Sequence, residues 1–244
     1  MTVESLTERP VLTKEIPSVG QILREFRAKS GLSQDEVARL VKISQGYLSQ
    51  IENDEVKGLS LSTALGLAKV FGEGVLFLEG ERSQKVFLLP LSRTIHQFLL
   101  TETDPEKIDD LEKGLDFICR RYPQIRKNNL TYIDQSDQKP LGERVEEFRA
   151  GRFQWVLAKD AGISQVTISN IETGLTKNPS IKNLAKIAQG AQITIEELLG
   201  LEEIQVQPKI RKFDQILRDG NIPQAKRKLA KRQIENTLEL LEST

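Results

Sequence analysis

Ile43-Ser44-Gln45-Gly46-Tyr47-Leu48-Ser49-Gln50-Ile51-Glu52 and Ile163-Ser164-Gln165-Val166-Thr167-Ile168-Ser169-Asn170-Ile171-Glu172 are one phrase written twice, at an offset of 120 residues. An apolar helical pattern precedes each phrase and another follows it, so a whole domain is duplicated. Ser44 carries a side-chain oxygen able to cap the free N–H groups of a helix that it opens. In that helix Leu48 and Ile51 share one face and predict core positions. Gln45, Gly46, Tyr47, Ser49 and Gln50 are left facing outward.

Working outward from the first phrase, Ser18 and Gln21 form a capping box that opens a helix carrying Ile22, Leu23 and Phe26, and Gly31 ends it. Ser33 and Glu36 form a second box before Val37, Ala38 and Leu40. Behind Ser60 a fourth helix spans Leu61 to Phe71, and a short apolar fifth covers Val75 to Leu78. The second copy repeats the series as Leu141 to Ala150, Gln154 to Lys159, Ser164 to Glu172, and Ile181 to Gln189 after Asn178-Pro179. A last helix follows, with Thr194 and Glu197 as its box.

The copies differ at one junction. Phe26 to Ala38 spans 12 positions and Phe148 to Ala158 spans 10, so the second copy is two residues shorter between its first helices. Phe153 stands where Ser33 caps the first copy, and Trp155 where Asp35 stood. Those replacements predict a junction rebuilt around aromatic packing.

Between the copies, Leu91, Ile95, Phe98 and Leu99 predict one apolar helix. Asp104 and Pro105 open a second with Ile108, Leu111, Leu115, Ile118 and Tyr122 on one face, ended by Pro123. Together they read as a helical hairpin, with 128–139 as a looser join. Beyond about Glu203, Ile210, Phe213, Ile216 and Leu217 mark one amphipathic helix. Asn221 and Pro223 open another that runs past Leu238 and Leu241. The expected architecture is all-α: a flexible arm (1–17), a five-helix domain (18–80), a helical connector able to dimerise (81–138), a second five-helix domain (139–203), and basic C-terminal helices for oligomerisation or partner binding (204–244).

Composition excludes several functional classes. Lys plus Arg equal Asp plus Glu at 35 each, so total charge gives no push toward nucleic acid. Basic residues instead concentrate between Lys209 and Arg232. One cysteine, Cys119, excludes an internal disulfide, and with one histidine, His96, soft ligands are too few for a zinc site. No apolar run approaches the ~18 residues that span a bilayer, and the N-terminus lacks a signal-peptide layout, so a cytoplasmic protein is expected. No carboxylate–histidine cluster or Ser/Lys catalytic region is evident, so no enzymatic activity and no cofactor are expected.

In a helix-turn-helix the second helix enters the major groove while the first crosses the phosphate backbone. Gln bonds bidentately to adenine, Ser and Thr to several bases, and small or branched apolar groups meet thymine methyls. Gln45, Gln50, Gln165, Val166, Thr167 and Asn170 fit those roles. With Gln34-Asp35-Glu36-Val37-Ala38 ahead of the first phrase, and Gln154 to Ala158, Gly174 and Pro179 around the second, the chain resembles the phage repressor and Cro (XRE) type helix-turn-helix family over about half its length.

The resemblance implies that Gln34 and Gln154 hold a phosphate and brace the next helix. It implies that Ser44, Gln45, Gly46, Tyr47 and Gln50, and Ser164, Gln165, Val166, Thr167 and Asn170, face bases or backbone. Lys57, Lys177 and Asn53 would touch phosphates from the following loop. Asp54 and Glu55 depart from the family's usual Gly and basic residue, which places negative charge near phosphates.

The function so implied is a sequence-specific transcriptional regulator binding double-stranded DNA, with repression by occluding a promoter at repeated half-sites. One chain with two readers can fill two half-sites, but the extra apolar helices favour a homodimer. The alternative is an antitoxin or mobile-element transfer or partition factor, whose C-terminal helices bind a protein while DNA binding serves autoregulation.

Overall fold

The computed structural model describes residues 17–74, 85–125, 130–135 and 139–243. The arm and the first copy's fifth helix, read at 1–17 and Val75 to Leu78, lie almost wholly or wholly outside the described residues. The first copy contributes α1 (Val19–Ser30), α2 (Gln34–Val41), α3 (Gln45–Glu52) and α4 (Leu61–Phe71). Each begins at a serine whose side chain accepts a backbone N–H, from Gln21, Glu36, Tyr47 and Thr63 in turn. The boxes at Ser18/Gln21 and Ser33/Glu36 are both closed.

Between the copies come β1 (Lys85–Val86), α5 (Pro90–Thr101), α6 (Pro105–Arg120) and β2 (Thr131–Gln135). The second copy follows as α7 (Leu141–Arg149), α8 (Gln154–Ala161), α9 (Gln165–Glu172), α10 (Ile181–Ala191) and α11 (Ile195–Leu198). Its two-residue deficit combines a shorter α7, 9 residues against 12 in α1, with a following turn one residue longer. The chain leaves α7 through two successive left-handed residues, Ala150 (φ 52°) and Gly151 (φ 73°). Phe153 makes no side-chain cap for α8. It and Trp155 are 72% and 55% exposed, which corrects the expectation of an aromatic-packed junction. Phe cannot accept an N–H, and the tight left-handed turn leaves both rings in solvent.

β3 (Leu201–Glu203), α12 (Pro208–Arg218) and α13 (Gln224–Ser243) complete the chain. Asn221 precedes the start of α13 by three residues and its N–H turns back to Asp219 Oδ1. A small sheet of order β1-β2-β3 joins remote segments: β2 pairs parallel with β1 and antiparallel with β3. The all-α expectation omits these strands. They occupy the ends of the linkers, and successive side chains of β2 fall on opposite faces, as strand geometry requires. Ile133 joins a core built from both copies, and Tyr132 joins a second core.

That second core gives the apolar stripes of the connector and C-terminal helices partners within the chain. Leu111, Leu115 and Ile118 of α6, Ile95 of α5, Ile210, Phe213 and Ile216 of α12 and Ile234 and Leu238 of α13 form one buried cluster. The stripes read as dimerisation surfaces bury one another within the chain. α5 and α6 each pack on α12, and α6 also packs along α13. Asp214 of α12, fully buried, accepts from Leu89 N at 2.9 Å, Tyr132 OH at 3.2 Å and Arg218 Nε at 2.5 Å. Arg218 also donates to Gly72 O at 2.6 Å and to Phe87 O, tying this unit to the end of α4. Cys119 is buried in α6, where loss of solvent pushes its thiol up.

Candidate nucleic-acid interface

The end of each α3-type helix is fixed by the same three groups in both copies. Glu52 is 2% exposed and accepts from Arg27 Nε at 2.7 Å, Arg27 Nη2 at 2.9 Å and Gln34 Nε2 at 2.8 Å. Glu172 accepts from Arg149 Nε at 2.8 Å and Gln154 Nε2 at 2.6 Å. Burial by itself raises the Glu52 carboxyl, but the hydrogen bonds from Arg27 and Gln34 outweigh it and leave the group below its ordinary value. Neither arginine carries a local sequence signal: each lies two helices upstream of the phrase whose closing carboxylate it binds.

Glycine makes this packing possible. A Cβ on Gly20 would stand 2.3 Å from Glu52 O, and one on Gly142 would stand 2.5 Å from Glu172 O. Two helices therefore cross in near backbone contact at the root of each phrase.

Gln34 links the helices further in the first copy, where its Oε1 accepts from Gln45 Nε2 at 2.7 Å. Ser44, Gln45, Gly46 and Gln50 are exposed along one edge of α3, whereas Tyr47 is half-buried against the core and faces outward less than its spacing suggested. In the second copy Ser164, Gln165 and Val166 are exposed, and Thr167 and Asn170 are half-buried. Thr167 Oγ1 lies 2.8 Å from Ser164 Oγ. Asn53, Lys57 and Lys177 are exposed in the loops that follow.

Asp54 has a different role from the one its sequence position suggested. It takes the left-handed conformation (φ 60°) that Gly174 takes in the second copy (φ 72°). Its oxygens accept from Ser18 Oγ at 2.6 Å and Gly20 N at 2.8 Å, and those bonds hold its carboxyl below the usual range. The carboxylate is thus committed to the N-terminus of α1, where an anion is favoured. Glu55 remains exposed.

The two copies meet at matching positions. Ser60 and Ser180, the caps of α4 and α10, form an isolated antiparallel bridge. Leu61 N donates to Pro179 O at 2.8 Å, and Ile181 N donates to Leu59 O at 2.9 Å. Shifting either bond by 120 residues and exchanging copies gives the other, as a two-fold axis demands. Asn178 adds an unmatched bidentate contact, accepting from Ser62 N at 2.9 Å and donating to Ser62 Oγ at 2.8 Å. Its counterpart Gly58 has no side chain to return it.

The family model described as Helix-turn-helix, HTH_3, matches residues 23–78 and again 156–198. Both matched stretches are similar to helix-turn-helix domains of the XRE type. The second match starts inside α8, past the shortened α7 and its rebuilt turn. Among curated proteins, the HTH-type transcriptional regulator RamB of Mycobacterium tuberculosis, in strains CDC 1551 / Oshkosh and ATCC 25618 / H37Rv, is 29% identical over 93 residues. The aligned stretch is 38% of this chain and only 19% of that regulator's length. No solved structure gives a significant match.

Proposed function

We propose that this chain, carrying two helix-turn-helix domains, is a sequence-specific transcriptional regulator in which one polypeptide supplies both readers for an imperfect inverted repeat. The observation that carries the reading is the reciprocal pair of bonds, Leu61 to Pro179 and Ile181 to Leu59. Readers related by a two-fold axis match half-sites related by one, whereas a direct repeat has no such axis. Each reader would place Gln45 and Gln50, or Gln165, Val166 and Asn170, against base edges, with Lys57 and Lys177 on phosphates.

Repression follows most simply: a rigid pair of readers covering about one turn of duplex blocks a promoter without any further contact. The resemblance of each copy to helix-turn-helix domains, and the regulator aligned with part of the chain, support this reading. A homodimer with four readers loses its main argument, because the helices assigned to it complete an internal core. The same burial takes up the main apolar stripes on which an antitoxin-like partner site would rest, while Leu229 and Leu240 of α13 stay exposed. Selection of bound duplexes from a random pool tests the proposal. The expected product is two unequal half-sites in inverted orientation, and an unpaired or directly repeated motif would overturn it.

A further inference from the structure

The first reader carries acids where DNA-contacting helices favour cations: Asp35 and Glu36 in the opening turn of α2 and Glu55 after α3 are all exposed. A second element stands beside it. Gln224 and Lys228, at the start of α13, abut the α1–α2 turn so closely that a Cβ on Gly31 would lie 1.9 Å from Gln224 Nε2 and 3.3 Å from Lys228 Cε. Lys228 and Lys231 line a crevice with Lys29, Leu32 and Leu40 of the first copy. Both lysines also act electrostatically on Glu36.

The position of this contact along the reader is fixed by α1. Val19, at its N-terminal end, lines a crevice with Leu59, Ile181 and Lys182 at the junction of the copies. Lys29 and Ser30, at the other end of the same 12-residue helix, line the crevice with α13. A helix of that length runs about 18 Å, so α13 lies at the end of the first reader remote from the two-fold junction. Lys226, Lys228, Lys231 and Arg232 are exposed there. Among the described residues the equivalent turn of the second reader has no such neighbour: a Cβ on Gly151 would meet nothing within 4 Å.

We infer that α13 is a phosphate-binding flank of the first reader: Lys228 and Lys231, with Lys226 and Arg232 beside them, engage the duplex outside that half-site and on that side alone. This rests on the proposed DNA-reading function and deepens it. The flank supplies cations beside the acids that open α2, whose own Arg39 sits in its last turn and is paired with Asp35, and contacts to phosphate carry register but no base information. Lys231 has a half-buried i,i+4 partner in Glu235 at 3.5 Å, a weak pairing that phosphate would displace.

The test uses the full chain and its selected duplex, with Lys228→Gln/Lys231→Gln compared with Lys228→Arg/Lys231→Arg and the unaltered protein. Affinity is measured over a range of salt concentrations, and hydroxyl-radical footprints are taken. The glutamine pair should lower the slope of log affinity against log salt by about 1–2, close to 0.9 per phosphate contact. It should also erase protection beyond the first reader's half-site only, while the arginine pair keeps both. An unchanged slope and footprint in the glutamine pair, with the unaltered protein still binding its duplex, overturns the flank and leaves the two-reader proposal standing. Failure of the unaltered protein to discriminate any duplex overturns the two-reader proposal and the flank with it.

Discussion

Ser60 and Ser180 are the same position of a duplicated domain, and they pair with each other across the junction of the two copies. Self-pairing of equivalent residues is what an isologous dimer interface does between two chains. Here one chain does it covalently, and the core continues from Leu59 and Leu67 in one copy to Ile181 and Leu184 in the other.

Opening that junction should uncouple the readers. Leu61→Pro removes the N–H that meets Pro179 O, at a first helical position where proline's fixed φ is tolerated. Binding to a full inverted repeat should weaken at least about tenfold, corresponding to ~1.4 kcal/mol, with affinity for an isolated half-site unchanged. Titration of both duplexes checks this, and equal losses on the two would reject it.

Base reading and phosphate contact should separate by substitution. Gln45→Ala and Gln165→Ala should each cost about 1–3 kcal/mol of discrimination, at different base pairs. Lys57→Ala and Lys177→Ala should weaken all sequences alike and reduce the salt slope by about 1 each. Gln34→Ala should mimic a mild Gln45→Ala, because the Gln34 amide holds Gln45 at 2.7 Å. Binding measured across a panel of point-mutated duplexes resolves the two patterns.

Glycine at the helix crossings should be irreplaceable. Gly20→Ala and Gly142→Ala each drive a methyl into a carbonyl oxygen, at 2.3 and 2.5 Å. Overpacking of this kind costs about 1–3 kcal/mol or more. Gly46→Ala, inside α3 where nothing lies within 4 Å, serves as the control and should leave thermal stability unchanged or slightly raised.

Acid should loosen the first reader through Glu52. Its folded value lies below that of the unfolded chain, so its stabilisation is fully present above the unfolded value, about 4.3. That stabilisation is lost as pH falls through the lowered folded value. Glu52→Gln should therefore destabilise the chain at neutral pH and flatten the acid side of its stability profile. Denaturant titrations from neutral pH down to about 3 measure both effects.

Much of this was legible because local chemistry decided it. The serine caps at 18, 33, 44, 60 and 164, the box at Thr194 and Glu197, and the α4 boundaries at Leu61 and Phe71 all follow from hydrogen bonds within a few residues. What depended on distant partners was not. The strand Thr131–Gln135 exists through Lys85–Val86 and Leu201–Glu203, which its own five residues cannot announce. Asp54 reads from sequence as a misplaced charge, whereas its partners, Ser18 and Gly20, lie more than thirty residues away in the chain.

The apolar faces of α6, α12 and α13 are legible as faces and pack on one another, because periodicity reveals that a stripe is buried and not by what. Gln34 and Gln154 were singled out as braces. The arginines that complete the same clusters, Arg27 and Arg149, sit at ordinary helix-end positions and carried no local signal.

The central claim is that one chain fills both half-sites. Native mass measurement of the protein bound to its selected full-length duplex tests it most directly. The account predicts one chain of 27.6 kDa per duplex, with the same stoichiometry when protein is in excess. Two chains on a duplex holding a single inverted repeat, with no one-chain complex at any ratio, would contradict it.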